Sequence, residues 1–265
     1  MEQLRYKIYS DDGMLHFHKP VIVFLHGLGG GYANWHRQIH TLRKRYDLVL
    51  IELPSHGKSQ VKISEMEVSF DALSRKIMDV VDSLGIQKAT YAGVSLGTMI
   101  VKHLVLNYPD RVDKYILAGP IGDFTFVLRM AINLVRYLMP ILPLDVILKL
   151  VCLVVMPYKA SKYGRDIFLA CAKKVPKKEF IVWCKLLTSF KDIQKTYQKT
   201  MGEEPNGMYI VGELDHFFIP MLKNDRNRVK NLVFVKNAGH ICISDEAEVV
   251  NNTIIAFQET GVVTG

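Results

Sequence analysis

Tyr91-Ala92-Gly93-Val94-Ser95-Leu96-Gly97 holds a serine with glycine two residues before it and two after. Upstream, Lys88-Ala89-Thr90-Tyr91-Ala92 is rich in β-branched and aromatic residues and lies between Gly85 and Gly93, which predicts a short strand. Downstream, Thr98 to Leu106 is mostly apolar and stops before Pro109, which predicts a buried helix. G-x-S-x-G between a strand and a helix is the pattern of a nucleophile elbow. A side chain at 93 or 97 would collide with the adjoining strand and helix, so glycine is required at both positions. Such a turn lifts the Ser95 hydroxyl clear of the backbone, beside the N–H donors and partial positive charge of a helix start. Loops collect Gly and Ser, so the pentapeptide also arises by chance. It gains weight only if a base, an orienting acid and a second oxyanion donor stand elsewhere in the chain.

Working outward, Val21-Ile22-Val23-Phe24-Leu25 and Leu48-Val49-Leu50-Ile51 are continuous apolar runs, the mark of strands buried on both faces of a parallel sheet. Tyr115-Ile116-Leu117-Ala118 adds another strand, and residues 4–10 and 14–18 predict a leading hairpin or edge strands around Asp11-Asp12-Gly13. Helices are expected over 32–45 and from the Ser69 cap to about Leu84, where Leu73, Ile77, Val80, Val81 and Leu84 recur at helical spacing. From 121 to about 200 the alternation breaks into helical, apolar stretches. It resumes with Gly207–Gly212, Asn231–Val235 and a closing helix over 245–258 that carries Asp245, Glu246 and Glu248 in its first turn. The pattern predicts a parallel, doubly wound α/β core, residues 1–120 and 201–265, interrupted by a helical insertion over 121–200. A ligand would then sit at the carboxyl ends of the strands.

At 265 residues, with 49% apolar and 23% charged residues, the chain can bury a sizeable core and does not have the composition of a disordered segment. Residues 1–7 mix both charges without an apolar stretch, so no secretory leader is expected. Cys152, Cys171, Cys184 and Cys242 lack C-x-x-C spacing and nearby ligand-spaced histidines, which predicts buried, reduced thiols in a cytoplasmic protein. The apolar run from Leu148 to Tyr158 is interrupted by Lys149 and falls short of the roughly 20 residues a membrane span needs.

The net charge of +8 is unevenly placed. Fourteen basic and five acidic residues lie between 121 and 200, so the insertion carries +9 and the rest about −1. No basic–aromatic module is recognisable, and nucleic acid is not an expected partner. Two explanations remain. The lysines form solvated faces of amphipathic helices, or they surround the mouth of an acyl passage lined by Leu134, Leu138, Ile141, Leu148, Val151 and Val155. In the second case they would attract anionic lipid surfaces or acidic substrates.

His26-Gly27-Leu28-Gly29-Gly30-Gly31 follows the first buried strand. A dinucleotide-binding G-x-G-x-x-G would need glycine at 32, which is Tyr32, and no Gly-Lys-Ser/Thr follows for a P-loop. His-Gly-x-Gly after a core strand fits an oxyanion loop, in which the backbone N–H of Leu28 joins that of Leu96. A base is needed because a serine hydroxyl is a weak nucleophile at neutral pH. Of nine histidines, His240 follows Asn237-Ala238-Gly239 directly after the last strand, where its ring would emerge beside Ser95. The acid should lie between them in sequence and at a strand end. Asp215 in Val211-Gly212-Glu213-Leu214-Asp215 meets both conditions, with Glu213 and Asp123 as alternatives.

With these motifs in place, the chain resembles the capped, single-domain, esterase- and lipase-like branch of the α/β-hydrolase superfamily. The resemblance rests on His26–Gly30, Leu53-Pro54-Ser55-His56-Gly57-Lys58-Ser59, Gly93–Gly97, Gly212–Asp215 and Gly239-His240. It implies a mostly parallel sheet with a helical cap inserted after the sixth core strand. It also implies a Ser95–His240–Asp215 triad working through an acyl-enzyme, with no metal or organic cofactor. A carboxylic ester with an apolar acyl group is the expected small-molecule substrate. Carbon–carbon hydrolysis, lactone hydrolysis, lyase chemistry and a non-catalytic sensor are the alternatives. Serine at the elbow argues against haloalkane dehalogenases and epoxide hydrolases, whose pattern places aspartate there. Two features depart from the family pattern: Glu52 and Ser55 replace the Asp and Gly of Asp-x-Pro-Gly-His-Gly, and Thr98 stands where a smaller residue is common.

Overall fold

The apolar runs become the centre of one seven-stranded sheet in the computed structural model, which describes residues 3–123, 125–201, 206–225 and 228–263. Met1 and Glu2, part of the stretch inspected for a leader, lie outside them. In chain order the core begins with β1 (Tyr6–Tyr9), β2 (Val21–Leu25), α1 (His36–Leu42), β3 (Asp47–Ile51) and α2 (Phe70–Ser83). It continues with β4 (Ala89–Val94), α3 (Leu96–Asn107) and β5 (Val112–Ala118). After four further helices come β6 (Gly207–Gly212), β7 (Asn231–Val235), the short α8 (Cys242–Asp245) and α9 (Ala247–Thr260). Strands β2, β3, β4 and β6 are buried along their whole length, as unbroken apolar runs between two helical layers require.

The strand order is β1-β3-β2-β4-β5-β6-β7, with β1 antiparallel to β3 and every other pair parallel. From β2 the chain winds outward to β3, and from β4 it winds the other way. The crevice where the direction reverses lies at the carboxyl ends of β2 and β4, where Leu25 pairs with Gly93. It receives both His26-Gly27-Leu28 and Ser95.

Residues 14–18 do not form the second strand of a hairpin. Asp12 captures them locally: its carboxylate accepts from the Met14 N–H at 3.0 Å and contacts His16 Nε2 at 2.8 Å, and Phe17 turns through φ 58°. With one leading strand instead of two, the insertion follows the fifth strand of this chain and not the sixth, at the same place in the sheet.

The inserted helices are α4 (Phe126–Leu138), α5 (Leu144–Val155), α6 (Lys162–Ala172) and α7 (Lys177–Thr200). Thr125 caps α4 by accepting from the Leu128 N–H at 3.2 Å, and Pro143 and Pro176 precede α5 and α7. Among the described residues no helix is long and apolar enough to cross a membrane. Met139, Ile147, Leu148, Ala172, Val175 and Phe180 make a small apolar cluster within the insertion. Further along α7, Trp183, Leu186, Phe190 and Tyr197 join the main core instead.

A buried ion pair fastens α7 to the core. Lys102 on α3 is fully enclosed, and its ammonium contacts Asp225 Oδ2 at 2.8 Å and Gln194 Oε1 of α7 at 3.0 Å. The Tyr197 ring lies 5.0 Å from it. Burial alone would raise the Asp225 carboxyl, but the Lys102 ammonium and the amides of Gln198 and Gln194 hold it below its ordinary value of 3.8. Lys102→Met should therefore destabilise the protein by about 3–5 kcal/mol, because it strands a buried carboxylate. Lys102→Met with Asp225→Leu should recover much of the loss, read from urea unfolding. The wild-type contribution should be full above pH 3.8 and disappear as the pH falls through the lower folded-state value.

Candidate active site

The elbow is built by close approach. A Cβ at Gly93 would collide with the Gly97 backbone, and one at Gly97 with the Leu25 carbonyl. Glycine thus lets β2, β4 and α3 meet behind the serine. Ser95 itself takes φ 53° and ψ −117°, an uncommon conformation for a residue with a side chain, which costs about 1–3 kcal/mol. Its N–H donates to the Ala118 carbonyl at 3.1 Å, and its carbonyl accepts from the Thr98 N–H at 2.9 Å.

His240 lies on the loop after β7, and Asp215 on the loop after β6. The sheet brings both to Ser95. His240 Nε2 is 2.9 Å from Ser95 Oγ, and Nδ1 is 2.8 Å from Asp215 Oδ2. A carboxylate only accepts, so Nδ1–H donates to Asp215 and Nε2 is left to receive the serine proton. Phe218 stacks on the imidazole with ring centres 4.1 Å apart. Asp245 Oδ2 accepts from the Gly239 N–H at 2.8 Å and from Ser161 Oγ at 2.9 Å, tying the His240 loop to the insertion. Neither alternative acid is in this chain of contacts. Glu213 is exposed, and Asp123 accepts from Gln198 Nε2 at 2.7 Å and Asn224 Nδ2 at 2.6 Å.

Leu28 and Leu96 flank Ser95 at the ends of β2 and β4, and neither backbone N–H has an acceptor among the described residues. Two buried histidines set the loop that carries Leu28. His26 Nδ1–H donates to the Gly27 carbonyl at 2.8 Å, and Nε2 accepts from the Leu53 N–H at 3.0 Å. His56 Nδ1–H donates to the Pro54 carbonyl at 2.8 Å, and Nε2 accepts from the Gly29 N–H at 2.9 Å. Each ring thereby bridges the loops after β2 and β3. Burial pushes His26 down to about 3, with His56 beside it adding to the effect, and pushes His56 down to about 4. Both stay neutral. Both lie in glycine-containing turns, but the paired bridge needed the folded geometry.

Ser95 opens into a cavity of about 280 Å³. Beyond Ser95, His240 and Asn34 its walls are almost wholly apolar, and among the described lining residues there is no Lys, Arg, Asp or Glu. Leu134, Leu138, Leu148, Val151 and Val155 line it as expected. Ile141 does not. It follows Pro140 in the turn after α4, off the inward face, and is 77% exposed.

A family model described as alpha/beta hydrolase fold matches residues 20–139, from β2 through the elbow to the end of α4. The chain has the α/β-hydrolase fold. It is 30% identical over 99 residues to epoxide hydrolase 4 of Homo sapiens, covering 37% of this chain and 27% of that protein. It is 34% identical over 115 residues to a 2-hydroxy-6-oxononadienedioate/2-hydroxy-6-oxononatrienedioate hydrolase of Paraburkholderia phymatum, covering 42% and 38%. The aligned segments thus span less than two fifths of either relative. A carboxylesterase structure from Nitrososphaera gargenis superposes with a TM-score of 0.80 at 17% identity, over 97% of this chain and 94% of that one.

Within this α/β-hydrolase fold, each departure from the usual motifs has a local partner. Ser55 turns through φ 64°, where glycine is usual, and its hydroxyl donates to Glu179 Oε2 of α7 at 2.6 Å. Glu179 also accepts from Ser64 Oγ at 2.6 Å. Glu52 accepts from the Lys58 N–H at 2.8 Å. Thr98 Oγ1 donates to the Ser95 carbonyl at 2.6 Å.

The two loop histidines make stability depend on pH. Unfolded, each titrates near 6.5; folded, they titrate near 3 and 4. Their neutral-form contribution should be full above about pH 6.5 and be lost as the pH falls toward those folded values. His56→Gln should remove about one proton from the slope of unfolding free energy against pH between 6 and 4, measured by urea titrations.

Proposed function

We propose that this protein is a serine hydrolase that cleaves a carboxylic ester with an apolar acyl group. The observation that carries the proposal is the continuous contact Asp215–His240–Ser95 ending in an apolar cavity. Ser95 Oγ attacks the ester carbonyl while His240 Nε2 takes its proton, and Asp215 stabilises the resulting imidazolium. The carbonyl oxygen becomes an oxyanion held by the N–H groups of Leu28 and Leu96, each such donor being worth about 3 kcal/mol. His240 returns the proton to the departing alkoxide, leaving an acyl-enzyme. Water, activated by the same imidazole, then releases the acid. The inserted helices act as a cap whose apolar side chains hold the acyl group. Four free thiols support a cytoplasmic location.

The relatives leave carbon–carbon hydrolysis as the competing chemistry. The Paraburkholderia phymatum relative is named for a dicarboxylate substrate. A carboxylate in this cavity would lack a cationic partner among the described lining residues, which is costly in an apolar site. A neutral ester fits better. Serine at 95 also provides a different nucleophile from the aspartate of the epoxide-hydrolase pattern.

Short activated aryl esters should be hydrolysed, and Ser95→Ala should abolish turnover with an unchanged unfolding midpoint. Asp215→Asn should lower kcat by about 10⁴ because His240 loses the partner that fixes its tautomer. Wild-type turnover by Ser95→Ala, or only a few-fold loss in Asp215→Asn, would sink this assignment. Vinylogous diketone acids assayed alongside should be poorer substrates.

A further inference from the structure

The α4–α5 hairpin leaves an unusual amount of apolar surface in water. Of the seventeen large apolar side chains exposed among the described residues, ten lie between 126 and 154. Phe126, Met130, Tyr137, Ile141 and Leu153 are each more than half exposed, and the last two reach 77% and 68%. Scattered exposed apolar residues are ordinary, but nine on two successive helices and one in the turn between them call for a partner.

The charges around the patch identify that partner. Arg129, Arg136 and Lys149 project from the same two helices, and their one acid, Asp145, is already paired with Lys173 at 3.4 Å. The Arg129 and Arg136 guanidinium groups lie 5.7 and 5.1 Å from the Phe126 and Tyr137 ring centres. Aromatic rings with basic heads beside them suit the boundary between acyl chains and anionic headgroups. A second copy is a poor occupant, since it would bring two insertions of +9 face to face. Neither helix can cross a bilayer: α4, at 13 residues, is about 20 Å long against a hydrocarbon core of about 30 Å. The hairpin can lie in the plane of the interface.

The cavity meets this face. Leu134, Leu150 and Val154 are exposed on the hairpin and also line the cavity that ends at Ser95. We propose that the α4–α5 face docks on a bilayer surface rich in anionic lipid, and that an acyl chain passes from the lipid between these helices to Ser95. Docking stands on the surface alone, whereas the passage rests on the hydrolase assignment.

Ser95→Ala protein should be floated with vesicles of phosphatidylcholine, or of phosphatidylcholine and phosphatidylglycerol in equal parts. It should bind the mixed vesicles at 0.01 M salt and bind less at 0.15 M, as the Debye length falls from about 30 to about 8 Å. Ile141→Ser with Leu153→Ser should weaken binding by about tenfold or more. Arg129→Gln with Lys149→Gln should weaken it mainly at low salt. Neither serine substitution touches the cavity. In the active protein, that pair should leave hydrolysis of a soluble ester unchanged but slow hydrolysis of an ester dispersed in mixed vesicles.

No flotation at 0.01 M, or flotation unaffected by the serine pair, would overturn docking. So would a dimer in light scattering that the serine pair converts to monomer, since that assigns the face to a second copy. Equal losses on soluble and vesicle-borne ester would overturn the passage. Flotation without any ester hydrolysis by the wild type would keep docking and remove the hydrolase assignment.

Discussion

Everything at the site depends on how closely three backbones meet behind Ser95. Gly97 packs against the Leu25 carbonyl and Gly93 against the start of α3, leaving no room for a Cβ at either place. This contact fixes the end of β2 against the end of β4. Leu28 and Leu96 consequently line one cavity together with Ser95. The strained φ of Ser95 is sustained because its N–H and carbonyl are both held, by Ala118 and by Thr98. Thr98 also accepts from the Ile121 N–H at 3.3 Å, connecting the elbow to the point where the chain leaves the sheet for the insertion.

The insertion is anchored unevenly. On α7, Glu179 binds Ser55 and Ser64, Trp183 Nε1–H donates to the Pro54 carbonyl at 3.3 Å, and Gln194 joins the Lys102–Asp225 pair. At the start of α6, Ser161 reaches Asp245 beside the His240 loop. These links hold α7 against the loop after β3 and the start of α6 against the loop after β7. The polar ties of α4 and α5 run mostly within the insertion: Lys173 pairs with Asp145, and Lys177 Nζ donates to the Leu142 carbonyl between them at 2.7 Å. The pair that walls the cavity is therefore held chiefly by apolar contacts, which tolerate small shifts better than directional bonds do.

Much of the fold was legible because its signals are local. Gly93 and Gly97 announce a close approach, unbroken apolar runs announce buried parallel strands, and Ser69 marks a helix start that it indeed caps. The order of the motifs pointed to Ser95 and His240, each directly after a recognisable strand, and to Asp215 with Glu213 and Asp123 still open as the acid. What stayed hidden depends on partners far away in sequence. Nothing near Lys102 says that a lysine in an apolar helix will meet Asp225, 123 residues on. Ser55 departs from the family motif, and the partner that explains it, Glu179, lies 124 residues away. Residues 14–18 alternate like a strand, but the short-range capture by Asp12 competes with pairing and wins.

The two explanations for the basic insertion fit different helices, the second only as part of the docking proposal. On α7 the exposed Lys178, Lys185, Lys191, Lys195 and Lys199 lie opposite the buried Trp183, Leu187, Phe190 and Tyr197. They form a solvated stripe, as an amphipathic helix requires, and need no ligand. On α4 and α5 the pattern is inverted, because exposed apolar side chains lie beside the basic ones. No packing rule within the chain accounts for that. The α7 stripe still adds to the positive field of the whole insertion, but at about 0.15 M salt that field fades within about 8 Å. Only charges on the hairpin itself are then close enough to an approaching surface to matter. On the docking proposal, Arg129, Arg136 and Lys149 matter more than the total of +9 reveals, because three charges around an apolar patch outweigh the larger number of lysines elsewhere.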